Sequence, residues 1–113
     1  KGNIRYFSNN EIEALRLIEC LKKSGLGIKE INQFFTWVSQ GSASYENRKE
    51  LFEARKLAVE AEIKNLQKTL SLLEFKCWYY SKAMEDGTED YIREMLPDKL
   101  PSDIQKLYDA SRE

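Results

Sequence analysis

"FEARKLAVEAEIKNLQKTLSLLEFKCWYYSKAM", Phe52 to Met84, is the stretch that decides the fold. Phe52, Val59, Leu66, Leu73 and Tyr80 recur every seven residues, and so do Ile63, Leu70, Cys77 and Met84, offset by four. This is the apolar seam of a coiled coil with one fault, Lys56, where the second set should hold an apolar side chain. No Pro or Gly occurs between Ser44 and Met84. One continuous helix is therefore expected there, roughly 60 Å long at 1.5 Å per residue. Short neighbours cannot bury a seam of that length. The simplest partner is the same helix of a second chain, joined through Phe52, Val59, Ile63, Leu66, Leu70, Leu73 and Cys77. A monomeric bundle in which the C-terminal segment folds back is the alternative. Lys56 argues weakly against a parallel pair, in which it would face its own copy, but the residues leave the direction open.

Off the seam, Leu72, Phe75, Trp78 and Tyr79 are too apolar for a solvated face and call for a further packing partner. Small residues Ala54, Ala58 and Ala61 mark a flank open to close approach. Upstream, "SNNE" reads as a capping box, with Ser8 accepting from the amide of Glu11 and the Glu11 side chain reaching back. A helix follows from about Asn9 to Ser24, stopped by Gly25, with Ala14, Leu15, Leu17, Ile18 and Leu21 as its core stripe. A second helix runs from about Ile28 to Ser39 and sets Ile31, Phe34, Phe35 and Val38 on one side. Gly27 is its weak N-cap. Downstream, Gly87 ends the long helix. The tail holds two prolines and two short amphipathic pieces, Tyr91 to Leu96 and Ser102 to Tyr108, compatible with a docked lid or a loose end.

The expectation is thus an all-α chain. Residues 8–39 form two linking helices, 44–84 a long dimerisation helix and 85–113 a helical tail, while 1–7 ("KGNIRYF") end something β-prone. The 113 residues carry a net charge of −1, from 18 basic and 19 acidic side chains. That balance gives no whole-chain reason to expect nucleic acid on this segment. No apolar run approaches a membrane span, and no signal peptide is visible. Two separated cysteines in a Lys- and Glu-rich chain fit reduced thiols, and hence the cytoplasm. Histidine is absent, no glycine-rich phosphate loop occurs, and no spacing forces two carboxylates into one cleft. No enzyme and no cofactor are expected.

The order of parts is specific: "IRYFS" ending a strand, a capped helix, "SGLGIKEI", a loop, and a seam helix ending "LEFKCWYY". Over Gly2 to about Ala83 it resembles the MerR family of bacterial transcriptional regulators. The resemblance implies an antiparallel homodimer through the long helix, and a chain that lacks the helix-turn-helix and keeps the end of the wing. It implies promoter DNA as the partner of the full-length protein, with no specific binding by this segment alone. RNA polymerase would be reached indirectly, through twisted or kinked DNA. Arg5 and Tyr6 match family positions near the DNA backbone, contacts that orient without reading sequence.

Metal sensing needs two to four converging soft or imidazole ligands. The start "SASYENR" has no cysteine and none follows Cys77, so no metal site is expected. Cys77, on the seam, reads as a small buried hydrophobe. Cys20 stands at the border of its helix's core stripe. Arg16 lies four residues before it and Lys23 three after, and nearby cations favour the thiolate. The helix C-terminus, Glu13 and Glu19 oppose that effect, so the residues alone leave reactive and inert readings balanced. "C-x-K-x-[SG]-G-L" resembles the subgroup that answers aldehydes and nitrosative stress through one thiol, which implies Cys20 as the regulatory residue. The rival is a non-covalent apolar or cationic effector held by Phe34, Trp37, Phe75, Trp78, Tyr79 and Tyr91. A further alternative is a purely structural coiled-coil dimeriser.

Overall fold

The computed structural model describes residues 8–113, and every element among them is helical. The helices are α1 (Asn9–Lys23), α2 (Ile28–Ser39), a 3₁₀ turn (Gly41–Ser44), α3 (Tyr45–Asp86), α4 (Asp90–Met95) and α5 (Ser102–Ala110). They form two compact units, one running through Glu60 and the other from Ala61 to Glu113. The expected Arg5 and Tyr6 contacts, and the wing end at 1–7, lie outside the described residues.

In the first unit α1 starts as its sequence demands. The Glu11 amide donates to Ser8 Oγ at 3.1 Å, and the Ser8 amide donates to Glu11 Oε1 at 2.9 Å. Its end is a Schellman turn: the Leu26 amide donates to the Leu21 carbonyl and the Gly25 amide to the Lys22 carbonyl, each at 3.0 Å. Gly25 takes φ +96°, a region that side chains with a Cβ avoid. Leu26 then packs beside Leu21, which with Ile31 and Phe34 makes the small core. Phe34 meets the rings of Phe35 and Phe52 edge-on at 5.2 and 5.5 Å.

The turn into α3 is tied by polar groups. Ser44 is buried, and its hydroxyl lies against the Trp37 carbonyl and 2.9 Å from that of Gly41. Arg48 donates from Nε to Ser44 Oγ at 3.1 Å and from Nη2 to the Gly41 carbonyl at 2.8 Å.

The core stripe expected on α1 is broader than the one observed. Leu21 is buried and Leu17 and Ile18 are half-buried, but Leu15 is 50% exposed. Leu17, Ile18 and Leu21 pack with Ile31, Phe34 and Leu51, while Ile12 and Leu15 stay exposed. Val38 on α2 is likewise exposed.

In the second unit the tail is a docked structure rather than a loose end. Phe75 and Tyr79 of α3 bury against Ile92 of α4, Leu100, and Ile104 of α5, with Trp78, Met95, Leu107 and Tyr108 around them. The Phe75 ring lies 5.2 Å from that of Tyr108. Gln105 closes the loop before α5: its Nε2 donates to the Pro97 carbonyl at 2.9 Å and its Oε1 accepts from the Leu100 amide at 3.1 Å. Tyr79 donates to Glu89 Oε1 at 2.5 Å. That hydrogen bond, reinforced by burial and the Glu89 charge, raises the Tyr79 hydroxyl above its ordinary pKa.

The seam on α3 is open in the single chain. Phe52, Ile63, Leu66, Leu70, Leu73, Cys77, Tyr80 and Met84 are all exposed, and Val59 is half-buried.

Candidate functional site

The first unit holds a groove of about 700 Å³ between α1 and the early turns of α3. Its α1 wall is one helical face, Ile12, Leu15, Arg16, Glu19, Cys20, Lys23 and Ser24, and Val59 supplies the α3 side. A second concavity, about 260 Å³, adjoins it and is lined by Cys20, Leu21, Ser24, Phe52, Arg55, Lys56 and Val59. Cys20, Ser24 and Val59 line both.

Cys20 is exposed and unpaired as a thiol. Its setting differs from the arrangement expected around it. Arg16 is turned to Glu13 at 3.4 Å, and both side chains stand in solvent, so the pair is weak. Lys23 stays exposed on the groove wall. The cation that sequence reading missed is Arg55, 35 positions away on the other helix. Its guanidinium donates to the Ser24 carbonyl, capping the end of α1, while its Nε is buried without a hydrogen-bond partner. It also crowds Gly25, where an added Cβ would lie 2.9 Å from Arg55 Nη2. Arg55 thus ties the end of α1 to α3 beside the thiol. The only advance signal was a basic residue next to the seam fault, Lys56, which lines the same concavity.

What can this arrangement do chemically? An open thiol at the mouth of an apolar groove, with basic side chains nearby, can add to a small soft electrophile. Among the described residues no three His, Cys, Asp or Glu side chains come together as metal ligands.

The aromatic residues considered for a non-covalent site are dispersed. Phe34 is buried in the first core and Trp37 is half-buried in the same unit. Phe75 and Tyr79 are buried in the second core, Trp78 packs against them, and Tyr91 is exposed. A cleft of about 520 Å³ in the second unit is lined by Tyr91 and Met95 among charged Lys82, Asp86, Glu94 and Lys99. Among the described residues, no helix is long and apolar enough to cross a membrane.

Residues 1–36 match the family described as MerR HTH family regulatory protein. A protein of Haemophilus influenzae (strain ATCC 51907 / DSM 11121 / KW20 / Rd), named as an uncharacterized HTH-type transcriptional regulator, is 36% identical over 87 residues. The alignment takes in 77% of this chain and 64% of that protein, so the chain spans less than two thirds of the relative's length. No solved structure gives a significant match. By the match of residues 1–36 and by this relative, the chain is similar to the MerR family of HTH regulatory proteins.

Proposed function

We propose that the protein is a cytoplasmic, MerR-type transcriptional regulator that binds promoter DNA as a homodimer and acts on RNA polymerase through the shape of that DNA. In this reading α3 is the dimerisation helix, paired antiparallel with its twin, and Cys20 is a thiol that answers small electrophiles. One observation carries the reading. The chain combines an uncovered heptad seam along α3 with an open thiol on α1, and its residues 1–36 match this family.

An aldehyde would be attacked at its carbonyl carbon by the Cys20 sulfur. A C–S bond forms, the carbonyl π pair moves to oxygen, and the thiol proton ends on that oxygen as a hemithioacetal. The adduct adds uncharged bulk at a wall shared by both concavities. Arg55, which holds the end of α1 to α3 there, would feel that change first. α1 would then shift relative to α3, and with it whatever α1 carries toward DNA.

The dispersed rings favour their role as core over a non-covalent aromatic site, because Phe75 and Tyr79 are already packed against the tail. The test is transcript profiling of cells given sublethal formaldehyde, with the wild-type gene or Cys20→Ser. Loss of the induced set in Cys20→Ser, at equal protein level, supports the thiol. An unchanged response refutes it and leaves a dimeriser without a thiol switch.

A further inference from the structure

The cleft of the second unit, about 520 Å³ at the end of α3, holds a set of charges that the fold leaves incomplete. Asp86 is the last residue of α3, where the helix dipole disfavours an anion, and no basic residue occupies that last turn. Its Oδ1 accepts from Lys82 Nζ at 3.1 Å, and the Asp86 side chain is only 14% exposed. Its Oδ2 is buried and has no hydrogen-bond partner among the described residues. A buried carboxylate oxygen without a donor is costly, so a donor is what this site lacks. Across the cleft, Tyr91, Glu94 and Met95 share one face of α4 through their i, i+3 and i+4 spacing. Lys99 is held next to them by its amide, which donates to the Met95 carbonyl at 2.7 Å. Among the described residues neither Glu94 nor Lys99 has an ion-pair partner.

We propose that this cleft binds an apolar α-amino acid in its zwitterionic form. The ligand ammonium takes the place of Lys82 at Asp86, supplies the donor that Oδ2 lacks and is shared with Glu94. Lys82, released, joins Lys99 on the ligand carboxylate. The apolar side chain lies on Tyr91, whose ring is 59% exposed, and on Met95. Charge selects this class. Two carboxylates and two ammoniums line the cleft, so a ligand with a single charge leaves one sign unanswered, whereas a zwitterion answers both. Each end then makes charge-assisted hydrogen bonds, the stronger kind. The site does not depend on what pairs with the seam. Lys82 and Asp86 each follow a seam residue, Tyr80 and Met84, by two positions, about 200° around the helix at 3.6 residues per turn. It also shares no residue with the grooves beside Cys20 and stands apart from the thiol reading.

The experiment is an amide-resolved NMR titration of the 113-residue chain with L-leucine. Two analogues serve as controls: isoamylamine, which lacks the carboxylate, and isocaproate, which lacks the ammonium. L-Leucine should shift amides between Lys82 and Lys99 and reach saturation. Each analogue should bind at least about tenfold more weakly, the worth of one charge-assisted hydrogen bond. Asp86→Asn should raise the Kd for leucine by a similar factor at unchanged far-UV circular dichroism. Should Asp86→Asn fail to fold, Lys99→Gln, at an exposed position, provides the second route. It should weaken leucine binding and leave that of isoamylamine unchanged. Absence of saturable shifts with leucine overturns the proposal. So does either analogue binding as tightly as leucine, which marks a site for a single charge. Shifts confined to α1 and the early turns of α3 also overturn it, because they place the amino acid elsewhere.

Discussion

Leu57 and Leu66 make a matched pair on α3. They are 67% and 68% exposed in the single chain, but Leu66 lies on the heptad seam and Leu57 does not. Replacing either by alanine removes three carbons and leaves the fold of one chain almost untouched, since neither belongs to a core. Burial is worth about 0.8 kcal/mol per carbon, so with roughly two thirds of Leu66 still to be covered, Leu66→Ala removes about 1.6 kcal/mol per chain. A two-fold dimer carries the change twice, about 3 kcal/mol, and at about 1.4 kcal/mol per decade its Kd rises by roughly two orders of magnitude. Leu57→Ala should shift Kd by less than about threefold, within the small range of surface changes. Sedimentation velocity over a dilution series reads both, with far-UV circular dichroism confirming equal helix content. Equal effects of the two substitutions, or none from Leu66→Ala, would refute the seam as the dimer contact.

Gly25→Ala should lower stability by about 1–2 kcal/mol, the cost of a left-handed residue with a Cβ, and should push the Arg55 guanidinium off the new Cβ; thermal unfolding measures it, and a neutral result would contradict the left-handed turn at Gly25. Tyr79 has a raised pKa because it donates to Glu89, so its contribution is fully present below the unfolded value and fades as pH climbs past about 10 through the folded one. Denaturant unfolding between pH 8 and 11 should show this alkaline loss in wild type and a shallower one in Tyr79→Phe.

Much of the chain was legible because local chemistry dictated it. Ser8 and Glu11 three apart, Gly25 after Ser24, and Gly87 at φ +73° mark helix ends through backbone groups that any structure must satisfy. The seven-residue period of α3 belongs to the helix itself. The direction of burial on α1 was less legible, since a helical wheel shows which residues share a face and not how wide a face the rest of one chain can cover. Leu15 fell on the expected stripe yet points outward.

Long-range placement was hidden for a similar reason. Phe75, Trp78 and Tyr79 were recognisably too apolar for a wet face, but only the folded tail reveals Ile92, Leu100 and Ile104 as their partners. Arg55 looked like one more charge on a charged helix. Its hydrogen bond to the Ser24 carbonyl joins residues 31 apart, a closeness that no periodicity encodes. At the candidate site the border position of Cys20 was readable, and its exposure follows from it. The turning of Arg16 to Glu13 was not, because an i, i+4 spacing to Cys20 and an i, i+3 spacing to Glu13 compete on equal terms.

The two cysteines provide the most direct test of the whole account. Both are exposed in the single chain, yet only Cys77 lies on the seam. Time-resolved mass spectrometry after brief electrophile exposure, at protein concentrations above and below the dimer Kd, follows each thiol separately. Cys20 should be modified at both concentrations, well before Cys77 in the dimer, and dilution should open Cys77. Modification of Cys77 as fast as Cys20 in a protein that sediments as a dimer would contradict it.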